Sequence, residues 1–383
     1  MLDFQKFFAG RDNKILFGVA LAFVLIQIVF FPSTYVSIDE HSYVKNSLLL
    51  RDGSIAVEEP GYACRANSFT DQGYVSSQFI GKSIFLIPFT FFGLDAIMFS
   101  GILIHLLNFL LLILILNRFS VNKYFAFLYL FFPVFIWAAR TTFAELLVLT
   151  GLLAGVYFYL SQKNKDWFFS GFFFGLAVLV RYDAIFAFIS FLLPALIKNW
   201  RKGITFALGA VPLGLFILLF NSLAYGGAIN TGYGSGSGIL AVMFAGLFDI
   251  DHLIYGIILL VAYPLLLLSP FLQKKFDLKS EFGLLIAFYF ILNAAFTTFL
   301  AFSFSIESTL IARLRYLIPL IGLLMIPYAL FLSHLAKKRE FSLPKNAIFI
   351  IVLVLLFGAA FLSYSHSNLI NSRASALETI YAN

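Results

Sequence analysis

The heptapeptide Ser37-Ile38-Asp39-Glu40-His41-Ser42-Tyr43 places two adjacent carboxylates directly behind the first long apolar run of the chain. If a helix begins there, Asp39 and Tyr43 share one face, and a carboxylate in that position can take a proton from a hydroxyl group. The same pattern also suits a solvated loop in which Asp39 caps the helix that follows. His41 has no second His or Cys at ligand spacing, so it reads as a polar loop residue rather than a metal ligand.

Further along, Glu145 closes Arg140-Thr141-Thr142-Phe143-Ala144-Glu145 and heads another apolar run. Thr142 followed three residues later by Glu145 is also a capping box, which accounts for the carboxylate without any chemistry. Arg140 follows Trp137 at what reads as a membrane boundary. In Arg181-Tyr182-Asp183 the Arg and Asp can satisfy each other across a short turn, while Arg181 can still face a cavity. Arg313-Leu314-Arg315-Tyr316 precedes Pro319, and an extended segment there would point two guanidinium forks the same way, a match to phosphate oxygens. Lys82 can meet a phosphate as a point charge, although snorkelling to the interface is the commoner use of such a lysine.

These residues stand out because the background is so apolar. Of 383 residues 61% are hydrophobic and only 12% charged, and the mean hydropathy is +0.94, which excludes a soluble globular fold. Apolar runs fall near 15–33, 84–116, 124–138, 145–160, 168–180, 184–197, 204–223, 253–272, 282–302, 317–335 and 347–363. They predict an all-α integral membrane protein of about eleven transmembrane helices in a single polytopic domain, with no separate soluble domain. The first run is too long for a typical signal-peptide core and is expected to stay as a helix. Cys64 is the one cysteine, which excludes an internal disulfide.

The breaks between runs alternate in charge. Seventeen of the 26 basic residues fall on one side, among them Arg118, Lys123, Lys198, Arg201 and Lys202, together with six of the 19 acidic ones. Basic short loops stay cytoplasmic, so the N-terminus is expected inside and, after eleven spans, the C-terminus outside. The exceptions, including Lys82, Arg140, Arg181, Arg313 and Arg315, lie outside against that bias and are candidates for holding an anion. Two outer loops are long. The first, 34–82, carries the acidic pair and is expected to hold interfacial helices, with Ser42 to Leu50 lying along the membrane surface. The second, 225–252, opens with a Gly-rich stretch that suits either a flexible lid or a plain connector.

The order of these features resembles the GT-C superfamily of polytopic glycosyltransferases, in particular its protein O-mannosyltransferase and lipid A aminoarabinose transferase branch. The resemblance rests on Asp39-Glu40 with Tyr43, on Gln78-Phe79-Ile80-Gly81-Lys82-Ser83 with Pro88 and Gly93, and on Glu145. It continues through Gly175-Leu176-Ala177 ahead of Arg181, Asn221 with Tyr225-Gly226, and Arg315-Tyr316-Leu317-Ile318-Pro319. Ile80 departs from it, since relatives often carry Pro before the glycine matching Gly81. The large outer soluble domain of some relatives is also missing.

The resemblance implies sugar transfer from a polyprenyl-phosphate donor to an acceptor hydroxyl of a protein, lipid or glycan on the extracytoplasmic face, with inversion at the anomeric carbon. In that scheme Asp39 is the base, supported by Glu40, and Arg315, Arg313, Arg181, Arg140 and Lys82 attend the donor phosphate. Glu145, Tyr43, Tyr316 and His41 then meet sugar or acceptor. Asp39 and Glu40 also form the one pair named for a divalent cation, Mg or Mn. The sequence holds no P-loop or dinucleotide fingerprint, which favours a lipid-linked donor over a nucleotide sugar, and no nucleic-acid partner is expected. The competing expectation from another class is a transporter or flippase for a lipid-linked anionic glycan, which should carry charge at mid-membrane and show two related halves.

Overall fold

Stripped of water, a backbone must hydrogen-bond to itself, so long apolar runs become helices. The computed structural model describes residues 11–31, 38–58, 67–71, 73–161, 163–232, 264–273, 276–300, 315–338 and 345–382, and most of them are helical. In chain order the helices are α1 (Arg11–Val29), α2 (Ile38–Arg51), α3 (Ile80–Thr90), α4 (Leu94–Arg118), α5 (Phe127–Leu130), α6 (Pro133–Ala138) and α7 (Glu145–Tyr159). They continue with α8 (Asn164–Val180), α9 (Ile185–Lys198), α10 (Trp200–Tyr225), α11 (Pro264–Leu272), α12 (Lys279–Leu300), α13 (Ile318–Lys338) and α14 (Lys345–Ala382).

Among the described residues five stretches are long and apolar enough to cross a membrane: Asp12–Val29, Leu94–Arg118, Trp200–Tyr225, Ile318–Lys338 and Ile350–Asn368. They fit a membrane-embedded, mainly helical protein. The runs 145–160, 168–180, 184–197 and 282–302 are also helices, the last of them α12 with 22 residues. α7, α8 and α9 have 15, 17 and 14 residues, and of the run 253–272 only Pro264–Leu272 is described as a helix.

The run 124–138 is not one helix. It folds as a 3-10 turn (Lys123–Ala126), then α5 and α6, broken where Pro133 enters. Lys123 and Tyr124 donate to Asn13 and Asp12 at the start of α1, while Arg140 donates to the carbonyl of Phe30 just past its end. The broken segment therefore runs the length of α1. Its irregular backbone is tolerable in an apolar protein because residues 126–144 are mostly buried by their neighbours rather than by lipid.

The segment between α1 and α3 holds a helix and strands. α2 covers the expected helix over 42–50; it buries Tyr43, Val44 and Ser47 and packs on α3, with Asn46 donating to Ser83 (3.3 Å). The loop also holds a small antiparallel sheet, absent from an all-α reading: β1 (Ala56–Val57), β2 (Asn67–Thr70) and β3 (Gly73–Ser76), in the order β1-β3-β2. Strands of two to four residues are too short to show a period of two. Tyr225 at the end of α10 donates to the carbonyl of Ser76 (2.8 Å) and ties this sheet to the bundle. Gly226 closes α10 in the left-handed conformation (φ 72°). Of the Gly-rich loop, residues 233–252 lie outside the described residues.

Small residues set the helix spacing. α8 and α10 lie so close that a Cβ on Gly171 would stand 1.7 Å from the Phe206 carbonyl oxygen, and one on Gly209 2.0 Å from that of Phe168. Gly171→Ala is expected to destabilise the protein by about 1–3 kcal/mol through overpacking, seen as a lower Tm in detergent. Gly214→Ala on the same α10, where a Cβ meets nothing within 4 Å, should leave Tm unchanged or slightly raised.

Candidate functional site

Five elements converge on one buried polar cluster: the first turn of α2, the start of α3, the N-terminus of α7, the turn after α8 and the approach to α13. Gly81 is what lets α3 in. A Cβ there would lie 2.6 Å from the backbone of Leu179, so only glycine allows α3 to rest on the end of α8. The next residue, Lys82, is thereby inserted beside the turn that carries Arg181.

Arg315 joins the acidic pair to the middle of the chain. Its Nε donates to Glu145 Oε1 (2.5 Å) and its Nη2 to Asp39 Oδ2 (2.8 Å). Arg181 reaches the same Glu145 oxygen through Nη1 (2.9 Å) and grips Asp183 with two parallel bonds (3.0 and 3.1 Å). Glu145 thus sits between two guanidinium groups at the N-terminal end of α7, where the helix dipole also favours its charge. Aromatic rings hold the guanidiniums from the sides: Phe143 lies 4.0 Å from that of Arg315, and Tyr316 lies 4.8 Å from that of Arg181.

Burial alone would lower the pKa of both arginines. For Arg315 the carboxylates of Glu145 and Asp39 outweigh it, and for Arg181 those of Asp183 and Glu145 do, so both shift upward and stay charged.

Asp39 also accepts from Gln78 Nε2 (3.0 Å) and keeps about a third of its side chain exposed. Glu40 points elsewhere: its Oε1 accepts from the backbone N–H (2.7 Å) and hydroxyl (3.3 Å) of Thr142. Thr142 is therefore engaged with Glu40, and no side chain caps α7 at its N-cap residue Ala144, which removes the capping-box account of Glu145. Two polar atoms are left over. Lys82 Nζ and Glu145 Oε2 are buried without a hydrogen-bond partner. Burial pushes the Lys82 ammonium down to about 7, against the fields of Glu145 and Glu40, which favour its charge.

The cluster brings together Asp39, Glu40, Lys82, Glu145, Arg181, Arg315 and Tyr316. Tyr43 is fully buried on the inner side of α2, where its carbonyl accepts from Ser83 (3.2 Å), and His41 is exposed on the same helix. Arg313 lies outside the described residues. Arg140, grouped with the other outer arginines by its charge, is placed elsewhere. It donates to Gln27 Oε1 (3.1 Å), His366 Nδ1 (3.2 Å), Ser367 and the Phe30 carbonyl, fastening α1 to α14. Arg140→Met is accordingly expected to cost about 1–3 kcal/mol of stability, read as a lower Tm, with lipid-phosphate affinity unchanged.

Among the described residues no three His, Cys, Asp or Glu side chains stand together as a metal-ligand set. Asp39 and Glu40, adjacent on a helix, turn toward different partners, Arg315 and Thr142. Gln78, Thr142 and Phe143 are the contacts that residue type did not single out; nothing marks Phe143 among 50 phenylalanines.

Chemically, the cluster offers one accessible carboxylate, two buried planar cations and two unpartnered polar atoms behind them. No protein-family model matches the chain, and no curated protein sequence matches it.

Proposed function

We propose that this chain is an inverting glycosyltransferase that moves a sugar from a polyprenyl-phosphate donor to an acceptor hydroxyl on the extracytoplasmic side of the membrane. The observation that carries the reading is the pair of buried, unpartnered atoms Lys82 Nζ and Glu145 Oε2 behind the Asp39–Arg315 bridge. Folded proteins satisfy nearly all buried polar groups, so two orphans in an otherwise paired network mark a place for polar ligand atoms. A sugar bears hydroxyls that both accept from an ammonium and donate to a carboxylate.

The donor phosphate competes with Asp39 for the guanidinium of Arg315, and its arrival releases Asp39 Oδ2 toward the acceptor. The acceptor oxygen then attacks the anomeric carbon from the face opposite the phosphate. A new C–O bond forms, the bond from that carbon to the phosphate oxygen breaks with its electron pair leaving on the phosphate, and the acceptor proton passes to Asp39. The leaving group departs as an anion already stabilised by Arg315, so no protonating acid is required. Glu145 holds the two guanidiniums in place and turns its second oxygen to the sugar.

The decisive experiment is transfer by the purified protein in lipid, with radiolabelled polyprenyl-phosphate sugars and crude envelope acceptors. Transfer by the wild type and not by Asp39→Asn supports the reading. No transfer with any donor, together with movement of the carrier across sealed vesicles, would overturn it in favour of a transporter.

A further inference from the structure

A second polar site lies at the other end of the bundle. Glu145 opens α7 and Tyr159 closes it, 15 residues that put about 21 Å between the two at 1.5 Å per residue. At the Tyr159 end, among the basic residues that the charge asymmetry assigns to the cytoplasmic face, is a cavity of about 410 Å³. Arg118, Trp167, Lys198, Lys202, Asp277 and Glu281 line it, drawn from α4, α8, α9, α10, the turn before α12 and the first turn of α12. Its size is that of a small-ligand pocket.

The charges in its wall are not equivalent. Glu281 is fully buried and accepts from Lys198 Nζ (2.8 and 3.1 Å), the Tyr159 hydroxyl (3.0 Å) and Ser280 (2.8 Å). Lys198 and Glu281 thus neutralise each other and fix the floor. Of the remaining charged lining, Arg118 and Lys202 face the single carboxylate of Asp277, so the wall is net positive. Arg118 is braced by its bond to the Tyr157 carbonyl (2.7 Å), with its guanidinium 3.8 Å from the Tyr157 ring. The Lys202 ammonium lies 5.2 Å from the Trp167 ring. Both Trp167 and Lys202 belong to the first turns of their helices, whose N-terminal ends add further positive potential.

Beside this cavity the surface turns apolar. Ile197, Trp200 and Ile204, next to Lys198 and Lys202 in the chain, are 85%, 61% and 44% exposed. An exposed Trp flanked by exposed isoleucines is what an acyl chain and a headgroup boundary would cover. We infer that this cavity binds the phosphate of an anionic phospholipid headgroup of the cytoplasmic leaflet, held by Arg118 and Lys202 with its acyl chains along Ile197, Trp200 and Ile204. Basic pockets between helix ends on this side of a membrane suit such lipids. The site is independent of the transfer reading, and either can fail alone.

The test uses the purified full chain in detergent, with dioleoyl phosphatidylglycerol, dioleoyl phosphatidylcholine and inorganic phosphate as probes. Native mass spectrometry is expected to show at least fivefold more bound phosphatidylglycerol than phosphatidylcholine, with a matching rise in Tm. The double variant Arg118→Gln with Lys202→Gln should lose that preference, while Lys202→Arg, which keeps the charge, should retain it. A Tm rise with inorganic phosphate that the double variant also loses would support the phosphate site and make its source soluble. Equal retention of the two lipids by the wild type, or an undiminished preference in the double variant, would overturn the proposal.

Discussion

Replacing Glu145 by alanine is expected to lower the stability of the folded protein by about 3 kcal/mol, seen as a large fall in Tm and in the yield of monodisperse protein. Removing one partner of a buried ion pair costs about 3–5 kcal/mol because the other charge stays behind without compensation. Here two guanidiniums are left. Each keeps a second carboxylate, Asp183 for Arg181 and Asp39 for Arg315, which places the loss at the lower end of that range. Glu145→Gln retains an acceptor oxygen but no charge and should fall between alanine and the wild type. An alanine variant as stable as the wild type would show that the network is not what holds α7, the Arg181 turn and the approach to α13 together.

Asp39→Asn should behave in the opposite way, with little loss of stability and a large loss of rate. The Asp39–Arg315 bond has one partly exposed partner, so its rupture is worth about 1 kcal/mol or less. Loss of a general base slows a reaction by about 10²- to 10⁴-fold. The amide is isosteric and can still accept from Gln78, so the geometry of α2 survives. Because the asparagine no longer competes for Arg315, donor affinity should not weaken, and the whole effect should appear in kcat. A variant with wild-type kcat would remove Asp39 from the chemistry and leave it a structural partner of Arg315.

Much of the candidate cluster was legible because charge is so scarce in this chain. Asp39, Glu145, Arg181 and Arg315 stand out against their surroundings, and a cost of about 2.5–3.5 kcal/mol for a charge drawn toward the bilayer centre makes each demand a reason. Their pairing was less legible. Arg140, like Arg181, follows an apolar run, and it is packing against α1 and α14 that separates it from the cluster. Thr142 and Glu145 have capping-box spacing, yet Glu40, 102 residues away from Thr142, takes the threonine's N–H instead. Gln78 was visible only as part of a motif, and its bond to Asp39 had no local signature. Apolar runs located the long helices but missed the sheet, whose strands are too short to show a pattern. They also missed the break at Pro133, since hydropathy averages across a proline without registering the lost hydrogen bond.

The sequence distances within the cluster impose an order on how the protein is made. Glu145 and Arg181 are 36 residues apart and can pair as soon as α7 and α8 have left the ribosome, whereas Asp39 must wait for Arg315, 276 residues later. At about 5–20 residues per second that interval is roughly 14–55 s. During biogenesis the nascent chain therefore carries Asp39 while its basic partner Arg315 is not yet synthesised. The accessible carboxylate completes its ionic contacts only when nearly the whole chain has been threaded into the membrane.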